Sequence, residues 1–388
     1  MRVFVVLSRI PFPLEKGDKL RAFHQIKHLS KTNEIILFAL NDRKVNKQDA
    51  FQFLQPYCRS VNFFDRSLFC IFINLIKAFF NGKPFQVGYF YSRRIRKKMN
   101  QLIGEYKPDH IYFQLARMAE YNKFINVKKT IDYQDAFSKG LQRRMKYASH
   151  FKKLILWMEY RRMLKYEKKI FTSFDHKTII SEPDRDAIAH PNKKDINIIS
   201  NGVDFNYYQP QNLPKEFDLI FSGNMSYPPN ILGARYLVKK VLPILYKKEI
   251  ILKTVFAGAK PADSIKKMAS ENIKVTGWVD DLRQYYAKSK IFVAPMQIGT
   301  GLQNKLLEAM SMEIPCITTP LTNQALGAHH GYDILIAKTA NEFATHIEFL
   351  LKNPNKAKEI GMKGRILVEE NYSWEKAGDK LELIMQSI

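Results

Sequence analysis

The stretch "IFVAPMQIGTGLQNKLLEAM", Ile291 to Met310, reads as three pieces in series. "IFVAPMQ" is a short run without charge, of the kind that forms a parallel strand covered on both faces. Gly299 and Gly301 then allow the backbone to approach a ligand closely or to take a positive φ. After them a helix begins, and the first amides of a helix have no internal partner, so they form a ready anion site. Lys305 falls in the first turn, where its ammonium can reach the same anion. Glu308 follows about one turn later on the same side. A carboxylate is poorly suited to holding a phosphate but well suited to accepting hydrogen bonds from hydroxyls such as those of a ribose. Phosphate plus ribose is a nucleotide. Leu306, Leu307 and Met310 would hold the helix down. A glycine-rich turn and a Lys–Glu pair also occur on helices that bind nothing, so geometry alone leaves both readings open. The ATPase phosphate loop is excluded, because no lysine followed by serine or threonine comes four residues after a glycine here. No dinucleotide fingerprint follows the first strand either.

Further strand-like runs surround this segment: "DLIFSG", "LKTVFAG", "IKVTG", "PCITTP" and "DILIA", most of them separated by helical stretches. Several end at glycines, among them Gly223, Gly258 and Gly277, and ligands of open α/β sheets collect beyond the carboxyl ends of strands. The amino-terminal half repeats the architecture without repeating the sequence. "VFVVLS" and "EIILFAL" flank the helical spacing of Leu20, Phe23, Ile26 and Leu29, which makes a strand–helix–strand unit. "HIYFQLA", "KKTIDYQ", "FDHKTIISE" and "KDINIIS" follow as strands. The chain has 388 residues, which suits two domains better than one core. The expected division is residues 1–205, 206–371 and a last helix, 372–388, which packs back toward the first domain through Trp374, Ala377, Leu381 and Ile384.

The net charge of +25 is uneven. Residues 1–200 hold 39 Lys and Arg against 18 Asp and Glu, a balance of +21, which leaves +4 for the rest. Such a field attracts phosphate-bearing substrates, anionic lipid or nucleic acid, and it also suits a plain solvated surface. No zinc finger, recognition-helix unit or basic–aromatic stacking motif supports a nucleic-acid partner. Cys58, Cys70 and Cys316 form no spaced cluster, which points to a reducing compartment and away from a zinc site. "MRVFVVLSRIPFP" breaks at Arg9 and Pro11, so it reads as a buried first strand rather than a signal peptide. "SLFCIFINLIKAFF", Ser67 to Phe80, is strongly apolar but too short to span a bilayer. Lys139 to Lys169 mixes eleven basic side chains with only Glu159 and Glu167. That composition fits an interfacial helix or helix pair with Leu154, Trp157 and Leu164 as apolar anchors, or an amphipathic helix packed on its own sheet.

The segments "PFPLEKGDKLRAFH", "FSGNMSYPPN", "VTGWVDDLRQYYAKSKIFVAP" and "GTGLQNKLLEAM", with "SNGVDFNYYQP" and "YSWEKAGDKLELI", resemble the family 4 retaining glycosyltransferases over nearly the whole chain and in the family's order. The resemblance is greatest to the sugar transferases of bacterial exopolysaccharide loci. It implies the GT-B arrangement, in which two facing Rossmann-like α/β domains with parallel sheets flank a cleft, the first binding the acceptor and the second the nucleotide-sugar. It also implies transfer of a sugar, with a hexose expected, from a UDP- or GDP-sugar to a glycan or polyprenyl-linked acceptor in cell-surface polysaccharide synthesis. The course is retaining, without a cofactor or a metal ion. The expected location is the cytoplasm, with an anionic membrane surface as a further partner at the cytoplasmic face of the inner membrane.

By the same resemblance Glu308 matches the ribose-binding glutamate and Lys305 the diphosphate-binding lysine. Gly17 lies in the loop that approaches the donor phosphates and the reaction centre. Gly17 and Lys305 are thus the expected catalytic positions. Asn224, Gly277, Gly299, Thr300, Gly301, Leu302 and Asn304 join Lys305 and Glu308 on the donor side, and Asp18, Lys19, Arg21 and Gln114 belong to the acceptor side. Thr300 stands where the family has a first glutamate, Asn224 and Met225 where it has a basic pair, and Gln114 where many members have a histidine. His110 lies earlier, on a strand, and is not expected to be catalytic. Glu15, Asp18 and Glu120 are the polar groups nearest the expected site. A sugar-nucleotide epimerase of the same fold, or a non-catalytic nucleotide-sugar binder, remains as an alternative.

Overall fold

A computed structural model describes residues 1–41, 45–123, 125–145, 148–298 and 302–387. The chain divides into two compact units, Met1–Ser200 with Trp374–Ile388, and Asn201–Ser373.

In the first unit the strands are β1 (Arg2–Leu7), β2 (Glu34–Asn41), β3 (Ser60–Asp65), β4 (His110–Gln114), β5 (Lys128–Asp132), β6 (His176–Ile179) and β7 (Asn197–Ile198). Their order across the sheet is β3-β2-β1-β4-β5-β6-β7, with every pair parallel. The pleat explains why β1 is apolar throughout. Phe4 and Val6 enter one core with Ile36, Phe38, Ile111 and Phe113. Val3, Val5 and Leu7 enter the core on the other face, with Ile35, Leu37 and Tyr112. A strand covered on both sides has no face left for polar residues.

The second core is closed by the helix Gly17–Leu29, which buries Ala22, Phe23, Ile26 and Leu29, and by the helix Trp374–Gln386, which buries Leu381 and Met385. The two helices pass so close that a Cβ at Gly378 would lie 2.2 Å from the His28 ring. Trp374 stacks on His24 with ring centroids 4.5 Å apart. The carboxyl-terminal helix is therefore part of the first unit.

Arg21, on the Gly17–Leu29 helix, is fully buried. Its Nε and Nη2 donate to the two oxygens of Asp132 at the end of β5, at 2.6 and 3.2 Å. Tyr112, Thr178 and the Gln134 amide donate to the same carboxylate. The pair ties the helix to the sheet from inside the core.

The second unit has β8 (Phe217–Ser222), β9 (Thr254–Ala257), β10 (Ile273–Val275), β11 (Ser289–Ala294), β12 (Cys316–Thr318) and β13 (Leu335–Ile336). They form a parallel sheet ordered β10-β9-β8-β11-β12-β13. In both sheets the first strand of the unit sits beside its fourth, so the strand order reverses there, β1 against β4 and β8 against β11. Crevices beyond the carboxyl ends of strands at such switch points are where ligands bind in doubly wound folds. Each strand expected from the sequence is present.

Removing one member of a buried ion pair leaves the other uncompensated, at a cost of about 3–5 kcal/mol. Arg21→Ala is therefore expected to lower the unfolding free energy of the first unit, measured by urea titration with far-ultraviolet dichroism, by that amount. A change below about 1 kcal/mol, the range of an exposed pair, would contradict the role given to it.

Candidate functional site

At the switch point of the second unit, β8 ends at Ser222 and the chain turns away through Gly223, with φ +136°. The close neighbour is Gly258 after β9, where a Cβ would lie 2.1 Å from the Gly223 carbonyl oxygen. No side chain fits between these strand ends. Gly277, after β10, has φ +73° and accepts the Gly258 amide at 3.2 Å. Beyond Gly223 the Asn224 side chain accepts from the Ser226 amide and hydroxyl, at 3.0 and 2.7 Å. The Asn224 carbonyl takes Asn230 Nδ2 at 2.9 Å. Asn224 thus shapes the loop.

That bond turns Asn230 Oδ1 toward the ammonium of Lys305, which donates to it at 2.5 Å. Lys305 is the second residue of the helix Asn304–Ser311, which follows β11. Its Nζ also lies 3.6 Å from Met296 Sδ and 4.6 Å from the centre of the Phe221 ring. A Cβ at Gly223 would come within 3.6 Å of it. The ammonium is thus buried among an amide oxygen, a thioether and an aromatic face, and among the described residues no carboxylate is within ion-pair distance. Burial without a paired anion disfavours the charged form. Desolvation lowers the Lys305 pKa to about 7, with Glu308 pulling the other way.

Glu308, half-buried one turn further on, accepts from the Tyr286 hydroxyl at 2.9 Å. Tyr286 is itself buried and pairs with Ser222 Oγ at 2.7 Å. The phenol proton goes to Glu308, so the Ser222 hydroxyl must supply the proton between the other two oxygens. Burial raises the Glu308 pKa, against the Tyr286 hydrogen bond, Lys305 and Tyr208. Gln303 at the helix N-cap makes no side-chain cap bond. Asn304 Oδ1 accepts from Asn201 Nδ2 at 3.0 Å, and Leu302 is buried. Gly299, Thr300 and Gly301 lie outside the described residues.

The first unit has its own cluster at the β1 and β4 ends. Asp18 pairs with Arg9 at 2.6 Å and with Arg117 at 3.2 Å, and its carbonyl accepts Gln114 Nε2 at 2.9 Å. Burial would raise its carboxyl, but Arg117 and Arg9 hold it below the usual value. Arg117 also donates to Ser8 and lies 4.3 Å from the centre of the Phe90 ring. Its pKa falls to about 9, by burial first and then by repulsion from Arg9. Gly17 is the first residue of its helix, and a methyl there would meet nothing within 4 Å. Lys19 is buried and donates to the Phe12 carbonyl at 2.8 Å. Arg21 is bound to Asp132, so neither side chain presents its charge at the unit's surface.

Asp18 and Gln114 are brought together, while Lys19 and Arg21, on the same helix as Asp18, turn to the Phe12 carbonyl and to Asp132. His110 is buried against Thr130 at 2.8 Å, with its pKa lowered to about 4 by burial. Glu120 is paired with Lys83 and Lys123. Among the described residues no group of three or more His, Cys, Asp or Glu could hold a metal ion. Sequence reasoning did not find Asn230, Tyr286, Ser222, Arg9 or Arg117. None carries a spacing signal, although "FSGNMSYPPN" contains Ser222 and Asn230 and "DDLRQYYAKS" contains Tyr286.

The depressed lysine has a pH signature. An unfolded lysine titrates near 10.5 and the folded one near 7. Over that window the unfolded chain holds the extra proton, so this group adds stability as pH rises and withdraws it toward pH 7. A bound diphosphate reverses the preference and recharges the ammonium. Nucleoside diphosphate binding at pH 8 is therefore expected to take up close to one proton, measured by titration calorimetry in buffers of different ionisation enthalpy. The uptake should vanish in Lys305→Met. Binding without proton uptake in the parent protein would refute a neutral lysine at the site.

Comparison with known proteins bears on both units. A protein from the cps region of Klebsiella pneumoniae, described as uncharacterised and of 44.6 kDa, is 25% identical over 404 residues, spanning 97% of each chain. The capsular polysaccharide biosynthesis glycosyltransferase CapM of Staphylococcus aureus is 25% identical over 232 residues, 55% of this chain and 59% of CapM. Among solved structures, Anabaena HepE in complex with UDP and glucose superimposes with a TM-score of 0.71 at 14% identity, over 99% of both chains. That likeness shows the fold, the GT-B architecture of two parallel-sheet α/β units. Residues 216–353, which include β8 to β13, Lys305 and Glu308, match the family model for Glycosyl transferases group 1.

Proposed function

We propose that the protein is a retaining glycosyltransferase that moves a hexose from a UDP- or GDP-sugar to a glycan or polyprenyl-linked acceptor in capsular or other cell-surface polysaccharide synthesis. The observation that carries this reading is the Lys305 side chain, buried at a sheet switch point with only neutral contact partners among the described residues. Such a group costs folding free energy and gains a counter-ion only when an anion binds. The match of residues 216–353 to a glycosyltransferase model supports the class. The cps-region relative and CapM support the polysaccharide context, and the nucleotide named for HepE supports a uridine donor.

In this reading the donor diphosphate is held by Lys305 and the first-turn amides of the Asn304–Ser311 helix, with Gly299, Thr300, Gly301 and Leu302 supplying the preceding loop. Glu308, fixed by Tyr286, receives the ribose hydroxyls. Asn224 and Gly277 form the opposite wall, and Asn304 sets the helix start. As the bond from the sugar to the phosphate breaks, negative charge grows on the leaving diphosphate, and fixed donors at that point stabilise it. The acceptor hydroxyl attacks from the face the phosphate leaves, and a phosphate oxygen takes its proton. In this reading Gly17 belongs to the catalytic machinery, and a methyl there would meet nothing within 4 Å. Asp18 and Gln114 contact the acceptor, and Lys19 and Arg21 position their helix from within. The expected compartment is the cytoplasm, since Cys58, Cys70 and Cys316 are all free thiols, as reducing conditions keep them.

Lys305→Met separates catalysis from folding. Turnover is expected to fall by about 10²–10³, the usual effect of losing one preorganised donor to developing charge. The melting temperature should hold or rise, because a buried cation gives way to an apolar side chain of similar length. The assay is formation of a glycosidic bond from UDP-, GDP-, ADP- and TDP-sugars with lipid-linked and free glycan acceptors. Retained turnover in the variant would overturn the reading, and a product in which only the donor sugar is epimerised would replace it with the isomerase.

A further inference from the structure

The apolar segment Leu68–Phe80 is largely outside the cores. The helix Leu68–Phe80 attaches to the first unit through one face only. Ile71 and Ala78 are buried. Asn74 Nδ2 donates to the Tyr91 carbonyl at 2.8 Å. A Cβ at Gly88 would lie 2.8 Å from Ala78 Cβ and 2.9 Å from the Asn74 carbonyl oxygen, so the short helix Phe85–Phe90 presses directly against it. The opposite face carries Leu68, Phe69, Phe72, Ile76, Phe79 and Phe80, all exposed. The four phenylalanines are 72%, 63%, 48% and 79% exposed. At about 200 Å² per full side chain they present on the order of 500 Å², where a monomer's largest apolar patch is typically about 300–600 Å² and often functional.

A second helix continues this surface. His150–Ile170 buries Glu159, Met163, Tyr166, Glu167 and Ile170, while Phe151, Leu154, Ile155 and Trp157 near its start are exposed. Leu164 is half-buried and is not one of the anchors. The two helices are pinned together. Arg162 donates to the Phe79 carbonyl at 3.0 Å, and its guanidinium lies 5.3 and 5.4 Å from the centres of the Phe79 and Phe85 rings. Glu159 accepts the Phe85 and Gln86 amides at 2.8 and 3.2 Å.

The charges around this surface are mostly of one sign, Lys83 being paired with Glu120. No aspartate or glutamate occurs between Asp65 and Glu105, a stretch that includes Lys77, Lys83, Arg93 and Arg94. On the second helix both glutamates turn inward, while Lys152, Lys153, Arg161 and Lys165 are exposed. Arg161 lies 5.6 Å from the centre of the Trp157 ring. Two copies of this face would bring cations against cations. An anionic bilayer offers both complements at once, acyl chains for the aromatic stripe and phosphate headgroups for the basic border.

We propose that the Leu68–Phe80 helix and the first half of the His150–Ile170 helix dock the first unit onto an anionic lipid bilayer. The helix has 13 residues, about 20 Å at the helical rise, against a hydrocarbon core of about 30 Å. It therefore lies in the interface plane, and among the described residues no helix is long and apolar enough to cross a membrane. This docking is independent of which sugar is transferred, or whether one is.

The test is co-sedimentation of the full chain with sucrose-loaded vesicles of phosphatidylcholine alone and of phosphatidylcholine mixed with phosphatidylglycerol. Binding to the mixed vesicles is expected to be at least about tenfold tighter and to weaken with salt. The triple variant Phe69→Ser, Phe72→Ser, Phe80→Ser should lose at least about tenfold in binding to the mixed vesicles with its melting temperature unchanged. Those positions touch solvent rather than core, and nucleoside diphosphate binding should persist. Lys152→Glu with Lys153→Glu should remove much of the preference for the mixed vesicles. Equal binding by the parent and the serine variant, or no binding by the parent, would overturn the proposal. So would a parent dimer that the serine variant converts to monomer while neither binds vesicles, since the face would then join two copies.

Discussion

The account depends on one buried amino group that, among the described residues, has no carboxylate within ion-pair distance. Lys305 is fixed in the first turn of a helix, with its Nζ turned toward Asn230 and Phe221 where β8 ends. A protein that needed only a folded sheet there would gain by placing leucine or methionine at that position. The surroundings are arranged around the charge instead. Gly223 keeps clear of it, Asn224 holds Asn230, and Asn230 supplies one neutral acceptor. These contacts hold the lysine in place without supplying a counter-ion, which is the electrostatic condition for capturing an anion.

Glu308 is held differently, and the contrast separates two tasks on one helix. Its carboxylate is bound by a buried phenol whose other neighbour is a serine at the end of β8. That chain fixes the direction of the carboxylate while leaving acceptor capacity for hydroxyls. The cation and the carboxylate share a helix, so the position of one sets the position of the other to within a helical turn.

Much of this was legible in the sequence because it is local. Strand, glycine turn and helix follow one another between Ile291 and Met310, and apolar runs covered on both faces mark parallel strands without reference to partners. What was not legible depends on residues far apart in the chain. Arg21 reads as an acceptor-side arginine on the first helix until Asp132, 111 positions away, is seen to receive it. Tyr286 has no periodic reason to touch Glu308. Ser67 to Phe80 reads as apolar and too short to span a bilayer, but nothing in the sequence says that Ile71 and Ala78 are its buried positions. Composition gives the affinity of a segment for apolar surroundings but not whether its own fold supplies them. The basic excess of the first 200 residues has the same resolution, since two inward-turned glutamates leave the outer side of the His150–Ile170 helix more cationic than the count implies.

The most direct measurement is a crystal structure with a nucleoside diphosphate or an intact sugar nucleotide bound. The account requires a phosphate oxygen within about 3 Å of Lys305 Nζ and the ribose hydroxyls on Glu308. A diphosphate bound elsewhere, with the ammonium still facing only Asn230, Met296 and Phe221, would contradict it.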